Sequence, residues 1–159
     1  MRIDTILCPI DFSASSKEAL AVAVDFSKRM GARLVVAHVY QPPTYVLPDG
    51  SVLLASPDAL NDLIQHVESA LDQWRKDAEA LGATGVVTRA VQGIAWQEIV
   101  RLGEEAPGTM IVIGTHGRTG LKRLLLGSVA EHVVRTSPAP VLTVRSSDYL
   151  MGELKRGNI

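Results

Sequence analysis

The 159-residue sequence has a single cysteine, few aromatic residues and no excess of charge of either sign. With Cys8 alone, the chain can form no intrachain disulfide. Because Cys8 lies in an apolar run, we expect a buried, inert thiol in a reducing compartment. Lys and Arg total 16 and Asp and Glu total 17. This balance argues against a protein that coats nucleic acid, because neutralising phosphates requires clustered positive charge.

Long apolar runs are absent as well. No window approaches the ~18 uncharged apolar residues of a membrane span, so we expect no membrane insertion. The start of the chain, 1–4, lacks the cationic and apolar segments of a signal peptide, and we expect a cytoplasmic protein. Aromatic residues are 4% of the chain and apolar residues 47%. This composition predicts a core of Val, Leu, Ile and Ala, which suits a sheet covered by helices on both faces.

Short apolar runs alternate with longer amphipathic runs along the chain. The pattern predicts strands at 3–9, 33–40, 85–91, 110–113 and 141–145, and helices from 15, from 57, over 95–105 and over 128–136. Ser15 with Glu18 fits a capping box at the first helix start, and Gly31 fits a left-handed helix end. Ser56 is the predicted cap of the second helix.

This alternation is typical of an α/β domain with one doubly wound parallel sheet and right-handed crossovers. We expect that domain to span 1–145 and a polar tail to follow at 146–159. Residues 41–56 contain three prolines and Gly50, which predicts a loop.

Glycines concentrate after the fourth predicted strand. Ligands of open parallel sheets bind beyond the carboxyl ends of the strands, where the strand order reverses. This segment holds four glycines within fourteen residues: Gly114, Gly117, Gly120 and Gly127. Glycine lets backbone N–H groups approach a ligand, and the last of these precedes a helix, whose start attracts anions. The alternative is plain capping, because Ser128 and Glu131 also fit a capping box.

Cations also occur in this segment, at Arg118, Lys122 and Arg123. They could supply charge to the outer phosphates of a ligand, or they could be exposed loop residues without a role. The chain contains no G-x4-G-K-(S/T) loop, so the lysine and magnesium-binding hydroxyl of many phosphoryl-transfer enzymes are missing.

The spacing G-x2-G-x9-G-(S/T), here Gly114, Gly117, Gly127 and Ser128, resembles the signature of the ATP-binding branch of the universal stress protein family. The resemblance extends over roughly 3–145. It includes the segments Pro9-x-Asp11-x-Ser13, His38-Val39 and Ser137-Pro138-Ala139-Pro140-Val141-Leu142-x-Val144. It implies a five-stranded parallel sheet of order 3-2-1-4-5, with the Rossmann-like architecture of the adenine nucleotide alpha-hydrolases.

The resemblance also implies a site for ATP, or for ADP or AMP, with Mg²⁺ between phosphate oxygens. Asp11 and Gly114 would take the ribose, the backbone of Val39 would read the adenine edge, and Pro9 would shape the wall beside the base. The implied phosphate residues are Gly117, Gly127, Ser128 and Val129, with Arg118 as a further candidate. Asp11 could instead cap the helix that follows it.

Histidines are the other residues that could suggest chemistry. We interpret His38 as a hydrogen-bonded core histidine and His116 as a loop residue near phosphate. The four histidines, His38, His66, His116 and His132, show no metal-site spacing.

Three functional classes follow. The first is a nucleotide-binding regulatory module that hydrolyses ATP slowly or not at all and acts through a homodimer or an unknown protein partner. The family usually forms dimers through the last strand, here Val141 to Arg145. The second is an enzyme such as an ATPase, which we do not favour because no general base near the glycines has an orienting partner. The third is a nucleotide-free dimeric interaction scaffold, against which the intact glycine signature argues.

Overall fold

The computed structural model describes residues 2–115 and 127–145, and the predicted tail at 146–159 lies outside them. In chain order the elements are β1 (Thr5–Pro9), α1 (Ala14–Met30), β2 (Arg33–Tyr40), β3 (Thr44–Val46), β4 (Val52–Leu54), α2 (Pro57–Ala80), β5 (Val87–Gln92), α3 (Ala95–Glu104), β6 (Thr109–Gly114), α4 (Ser128–Thr136) and β7 (Val141–Val144).

Five strands form the main sheet, in the order β5-β2-β1-β6-β7. Every neighbouring pair in this sheet is parallel. Since β5, β6 and β7 are its third, fourth and fifth strands along the chain, the expected order 3-2-1-4-5 is confirmed. The order reverses between β1 and β6, which are the two strands whose ends should frame a ligand.

Helices cover both faces of the sheet. Side chains of successive strand residues point to opposite faces, so β1 contributes to two separate cores. On one face Ile6 and Cys8 pack with α1 and α2. On the other face Leu7 packs with Ile99 of α3 and Val133 of α4. Among the described helices, none is both long and apolar enough to cross a bilayer.

The start of α1 differs from the prediction. Ser13 is the N-cap, and its hydroxyl accepts a hydrogen bond from the Ser16 N–H at 3.2 Å. Ser15 lies inside the first turn and is buried, so its capping box with Glu18 is wrong. Closely spaced serines each fit a cap pattern, and tertiary packing selects among them. Gly31 does end the helix in the left-handed conformation, with φ 63°.

Residues 41–56 are not a simple loop, contrary to the prediction. They contain an antiparallel hairpin in which Thr44 pairs with Leu54 and Val46 with Val52. At its turn the Asp49 carboxylate accepts hydrogen bonds from the N–H and hydroxyl of Ser51. Strands of three residues are too short for a period of two to stand out in a segment that also holds three prolines and Gly50.

Candidate functional site

A cavity of about 280 Å³ opens where the strand order reverses. Its floor is the carboxyl ends of β1, β2 and β6, represented by Pro9, Val39 and Gly114. Its walls come from α3 and from the first turn of α4. The site therefore lies at the edge that the topology of a doubly wound sheet predicts for a ligand.

Asp11 organises the turn between β1 and α1. Its Oδ1 accepts hydrogen bonds from the Ser13 N–H at 3.0 Å and from the Ser16 hydroxyl at 2.6 Å. Its own N–H donates to Ser16 Oγ at 3.0 Å. Asp11 thus orders the first turn of α1 while Ser13 provides the cap, and the residue also lines the cavity. The alternative that Asp11 itself caps α1 is therefore wrong, because Ser13 occupies that position.

The next residue, Phe12, holds this turn in place from the other side. Its φ of 65° lies in a region that side-chain-bearing residues rarely adopt. The Phe12 ring packs at 4.3 Å from the His38 ring and at 6.0 Å, edge to face, from Trp74. His38 Nδ1 lies 2.8 Å from the Ile10 carbonyl. Because a carbonyl only accepts, Nδ1 carries the proton, and the predicted hydrogen bond of His38 is confirmed. The residue is only partly buried and lines the cavity, so its expected place in the core is not.

Val39 presents backbone groups beyond the end of β1. The β1–β2 register ends at Pro9 and Ala37, and the Ile10 N–H donates to the Ala37 carbonyl at 2.8 Å. Alternate residues of a strand direct their N–H and C=O groups to the same neighbour. The N–H and C=O groups of Val39 therefore point to the same side as those of Ala37, toward the line of β1. At this level β1 has already ended, because the chain turns away at Asp11. One donor and one acceptor of the main chain are aimed at the cavity.

The start of α4 faces the cavity from the opposite side. Gly127 is its N-cap, and no side chain among residues 2–115 and 127–145 makes a capping hydrogen bond there. The predicted Ser128–Glu131 capping box is therefore wrong: Ser128 is the first helical residue, and Glu131 lies 3.6 Å from Arg135. A helix start without a side-chain cap keeps its first N–H groups and the positive end of its dipole for another acceptor.

Gly114 has a packing role besides lining the cavity. A Cβ at this position would lie 2.6 Å from Ser15 Oγ and 3.0 Å from the Ser15 carbonyl oxygen. Only glycine lets the first turn of α1 approach β6 this closely. The sequence motif cannot separate this requirement from a role in ligand binding, and both apply to the same residue.

Seven of the nine predicted binding residues line the one cavity: Pro9, Asp11, Val39, Gly114, Gly127, Ser128 and Val129. The other two, Gly117 and Arg118, lie outside the described residues, as do His116, Gly120, Lys122 and Arg123. Within 2–115 and 127–145, no group of three or more His, Cys, Asp or Glu could hold a metal ion.

Further lining residues were not predicted as site residues: Ile10, Ser16, His38, Ala95, Ile99, Ile113, Thr115 and Ala130. The apolar ones follow the same periodicity as core residues, so nothing in the sequence distinguishes them. Ser16 has no distinguishing signal either, because a serine in the first turn of a helix usually serves the cap.

Comparison with known proteins agrees with this geometry. The model of the universal stress protein family matches residues 2–145. The chain belongs to the universal stress protein family. One relative, the universal stress protein MJ0531 of Methanocaldococcus jannaschii, is 34% identical over 141 residues, covering 88% of this chain and 81% of that protein.

Solved structures of universal stress proteins have the same fold. UspA from Lactobacillus plantarum superposes with a TM-score of 0.76 at 26% identity, over 91% of this chain and 99% of that one. A universal stress protein solved in complex with cAMP superposes with a TM-score of 0.71 at 28% identity, over 92% of this chain and the whole of that one.

Proposed function

We propose that this universal stress protein binds ATP, or the related ADP or AMP, in the cavity between β1 and β6. It acts as a regulatory module that hydrolyses the nucleotide slowly or not at all. The observation that carries the proposal is the pairing of two features in one cavity: the backbone edge at Val39 and the start of α4 without a side-chain cap. The first suits a base and the second suits phosphate.

The backbone of Val39 would recognise the base of the nucleotide. The adenine edge carries an amino group that donates and a ring nitrogen that accepts, so it complements a carbonyl and an N–H on one residue. Guanine has a carbonyl in place of that amino group and would set two acceptors against each other. Pro9, Ile99 and Ile113 supply apolar surface to the same cavity. We therefore expect adenine nucleotides to bind in preference to guanine nucleotides.

Ribose and phosphate would occupy the rest of the site. The Asp11 carboxylate accepts hydrogen bonds, as a ribose hydroxyl requires, and the N–H groups of Ser128 and Val129 stand at the positive end of α4. The family member solved with cAMP, itself an adenine nucleotide, supports this assignment. Gly117 and Arg118 remain proposed phosphate residues on the strength of the motif.

Magnesium fits the site as a companion of the phosphates. The described residues offer no cluster of side-chain ligands for it. Mg²⁺ commonly keeps several waters and binds through substrate phosphates, where it offsets their charge. The protein would then hold the ion through the nucleotide.

Slow or absent hydrolysis is supported by the acidic groups near the helix start. Glu131, the carboxylate of the first turn of α4, is half-exposed and is paired with Arg135. Asp11 has its Oδ1 engaged by Ser13 and Ser16. Neither arrangement resembles a base held ready to activate water. Turnover at about 1 s⁻¹ or faster, as in a typical enzyme, would contradict this part of the proposal.

We also propose a homodimer through β7. This strand ends the order of the main sheet among the described residues, and a strand at a sheet edge offers N–H and C=O groups to a second copy.

The decisive experiment measures nucleotide binding directly. Purified protein is denatured and any released nucleotide is identified by chromatography, and calorimetry then compares ATP, ADP, AMP and GTP. Gly127→Val should abolish ATP binding in a folded protein, because the new side chain stands where phosphate would approach. The backbone at Gly127, with φ -57° and ψ 148°, accommodates any residue, so the fold should survive.

A matched control is Thr136→Val at the other end of α4. Thr136 is exposed, and its hydroxyl donates to the His132 carbonyl at 2.7 Å. This variant also introduces valine into α4 and should bind ATP like the wild type. Unchanged affinity in folded Gly127→Val would rule out a phosphate site at this helix start.

A further inference from the structure

Ser16 makes two hydrogen bonds to Asp11 and lines the cavity beside it. Its Oγ accepts from the Asp11 N–H at 3.0 Å and lies 2.6 Å from Asp11 Oδ1. The side chain is in the first turn of α1, and the residue is only 6% exposed. Its surroundings therefore restrict its rotation and shield its bonds from water.

The direction of these bonds follows from the atoms. A serine hydroxyl has one proton, and a carboxylate oxygen can only accept, so the proton of Ser16 points at Asp11 Oδ1. Hydrogen bonds to ionised groups are short and stronger than neutral ones, in keeping with the 2.6 Å separation. Together with the Ser13 N–H, this bond fixes the rotation of the Asp11 carboxylate.

The neighbouring serine has a separable task. Ser13 caps α1 by accepting from the backbone N–H of Ser16, a bond that does not use the Ser16 side chain. The Ser13 hydroxyl also donates to Ser16 Oγ, but at 3.4 Å this bond is long and weak beside the 2.6 Å bond from Ser16 to Asp11. Removing the Ser16 hydroxyl leaves this cap in place. Removing the Ser13 hydroxyl leaves both Ser16–Asp11 bonds in place, as well as the bond from the Ser13 N–H to the carboxylate.

We infer that Ser16 is a positioning residue for ligand recognition: it holds the Asp11 carboxylate in the orientation that accepts a ribose hydroxyl. The inference rests on the proposed binding of adenine nucleotides. Its consequence is that Ser16 determines how strongly the site prefers a ribonucleotide to a deoxynucleotide, although Ser16 need not touch the sugar itself.

The test compares AMP with 2′-deoxy-AMP and 3′-deoxy-AMP by calorimetry. In Ser16→Ala, AMP should bind about tenfold more weakly, the effect of one hydrogen bond to a charged group. The analogue that lacks the recognised hydroxyl should change by less than about twofold, so the preference for ribose falls. In Ser13→Ala, thermal stability should fall through loss of the cap while the preference for ribose is retained.

Two further variants make the result decisive. In an Asp11→Asn background, Ser16→Ala should have little additional effect on the ratio of AMP to deoxy-AMP affinity. If Ser16→Ala lacks a cooperative unfolding transition, Ser16→Cys replaces it, since the thiol keeps the volume but is a weak donor. The same loss of ribose preference is expected in that variant.

Three outcomes would overturn the inference. An equal loss of affinity for AMP and both deoxy analogues in Ser16→Ala would show a merely structural role. A loss of ribose preference in Ser13→Ala as large as in Ser16→Ala would assign the effect to the helix start in general. If the wild-type protein binds no adenine nucleotide at all, the proposed function fails together with this inference. The first two outcomes overturn the inference alone and leave the proposed function intact.

Discussion

At the residue scale, Cys8 shows how position controls chemistry. The side chain is fully buried within β1, and burial raises the pKa of its thiol from 9.0 to about 12. The cause is desolvation, because the apolar core around it cannot solvate a thiolate. The expected burial of Cys8 is confirmed. Because a nucleophilic or redox role would need the ionised form, we predict an inert thiol.

The same shift predicts how stability depends on pH. Well below pH 9 the thiol is protonated in the folded and unfolded chains alike and contributes no slope. Between about pH 9 and 12 the unfolded chain loses a proton that the folded chain keeps, so the free energy of unfolding falls as pH rises. The slope from this group reaches at most about 1.4 kcal/mol per pH unit.

Urea denaturation at pH 8 to 11 checks this, with Cys8→Ala as the comparison that lacks the titrating group. The variant should be less stable at pH 8 because of the cavity it creates, and its stability should fall less steeply above pH 9. A thiol reagent at pH 8 should react slowly with folded wild type and rapidly in denaturant. Rapid reaction of the folded protein would contradict the buried state of Cys8.

The roles of individual residues at the cavity and at the start of α1 were predictable to different degrees. Asp11 and Gly127 could be found because motif spacing marks them. Ser16 could not, since a serine in the first turn of a helix usually serves the cap, and only folding shows that its hydroxyl reaches back five residues to Asp11. Ser15 was predicted as the cap, where the structure has Ser13, because both serines fit the cap pattern and packing against Gly114 decides between them.

At the scale of elements, the contact between α1 and β6 is unusually close. Ser15 is buried where the helix meets Gly114, and its hydroxyl finds no hydrogen-bond partner among the described residues. Leaving a buried polar group without a partner costs about 1–3 kcal/mol. The contact therefore depends on glycine on one side and tolerates an unfavourable hydroxyl on the other.

This contact can be tested with a pair of substitutions. Gly114→Ala should reduce the free energy of unfolding by about 1–3 kcal/mol, because its Cβ would overlap Ser15 Oγ. Ser15→Ala should be neutral or stabilising, and in the double variant it should recover part of the loss. Urea denaturation of the four proteins measures the coupling; strictly additive effects would refute a direct contact.

Longer elements were predictable, and the hairpin of β3 and β4 was not. β2 has a nearly continuous apolar run, as a strand covered on both faces requires, and its predicted bounds agree with the structure. The hairpin strands have three residues each, and Val52, Leu53 and Leu54 are more than half exposed. A pair of strands with so little burial leaves no pattern of alternate apolar residues to detect.

At the scale of the whole molecule, alternation of strands and helices predicts a parallel sheet but does not set the strand order. Several orders satisfy short, right-handed connections. The predicted order rests on the resemblance of the glycine spacing to one family. The observed order agrees with it and brings Asp11 and Gly127 to one cavity, although they are far apart in the chain. The order also leaves β7 at the edge, next to β6.

The edge position of β7 gives a sharp test of the proposed dimer. Carbonyl groups of Pro140 and Val144 accept from N–H groups of Ile111 and Thr115, so even-numbered residues of β7 face β6. Thr143 therefore directs its N–H away from the sheet, toward the place of a second copy. Thr143→Pro removes this outward donor without removing a β6–β7 hydrogen bond, and proline is tolerated in edge strands.

We expect Thr143→Pro to shift the protein from dimer to monomer in sedimentation at tens of micromolar, with its circular dichroism spectrum and ATP affinity retained. Thr143→Val is the matched control: it keeps the N–H and should remain dimeric. Because the cavity is lined by residues of β1, β2, β6, α1, α3 and α4 and of their connections, but not of β7, loss of the β7 contact should leave nucleotide binding intact. A wild-type monomer, or a Thr143→Pro dimer as tight as wild type, would exclude β7 as the interface.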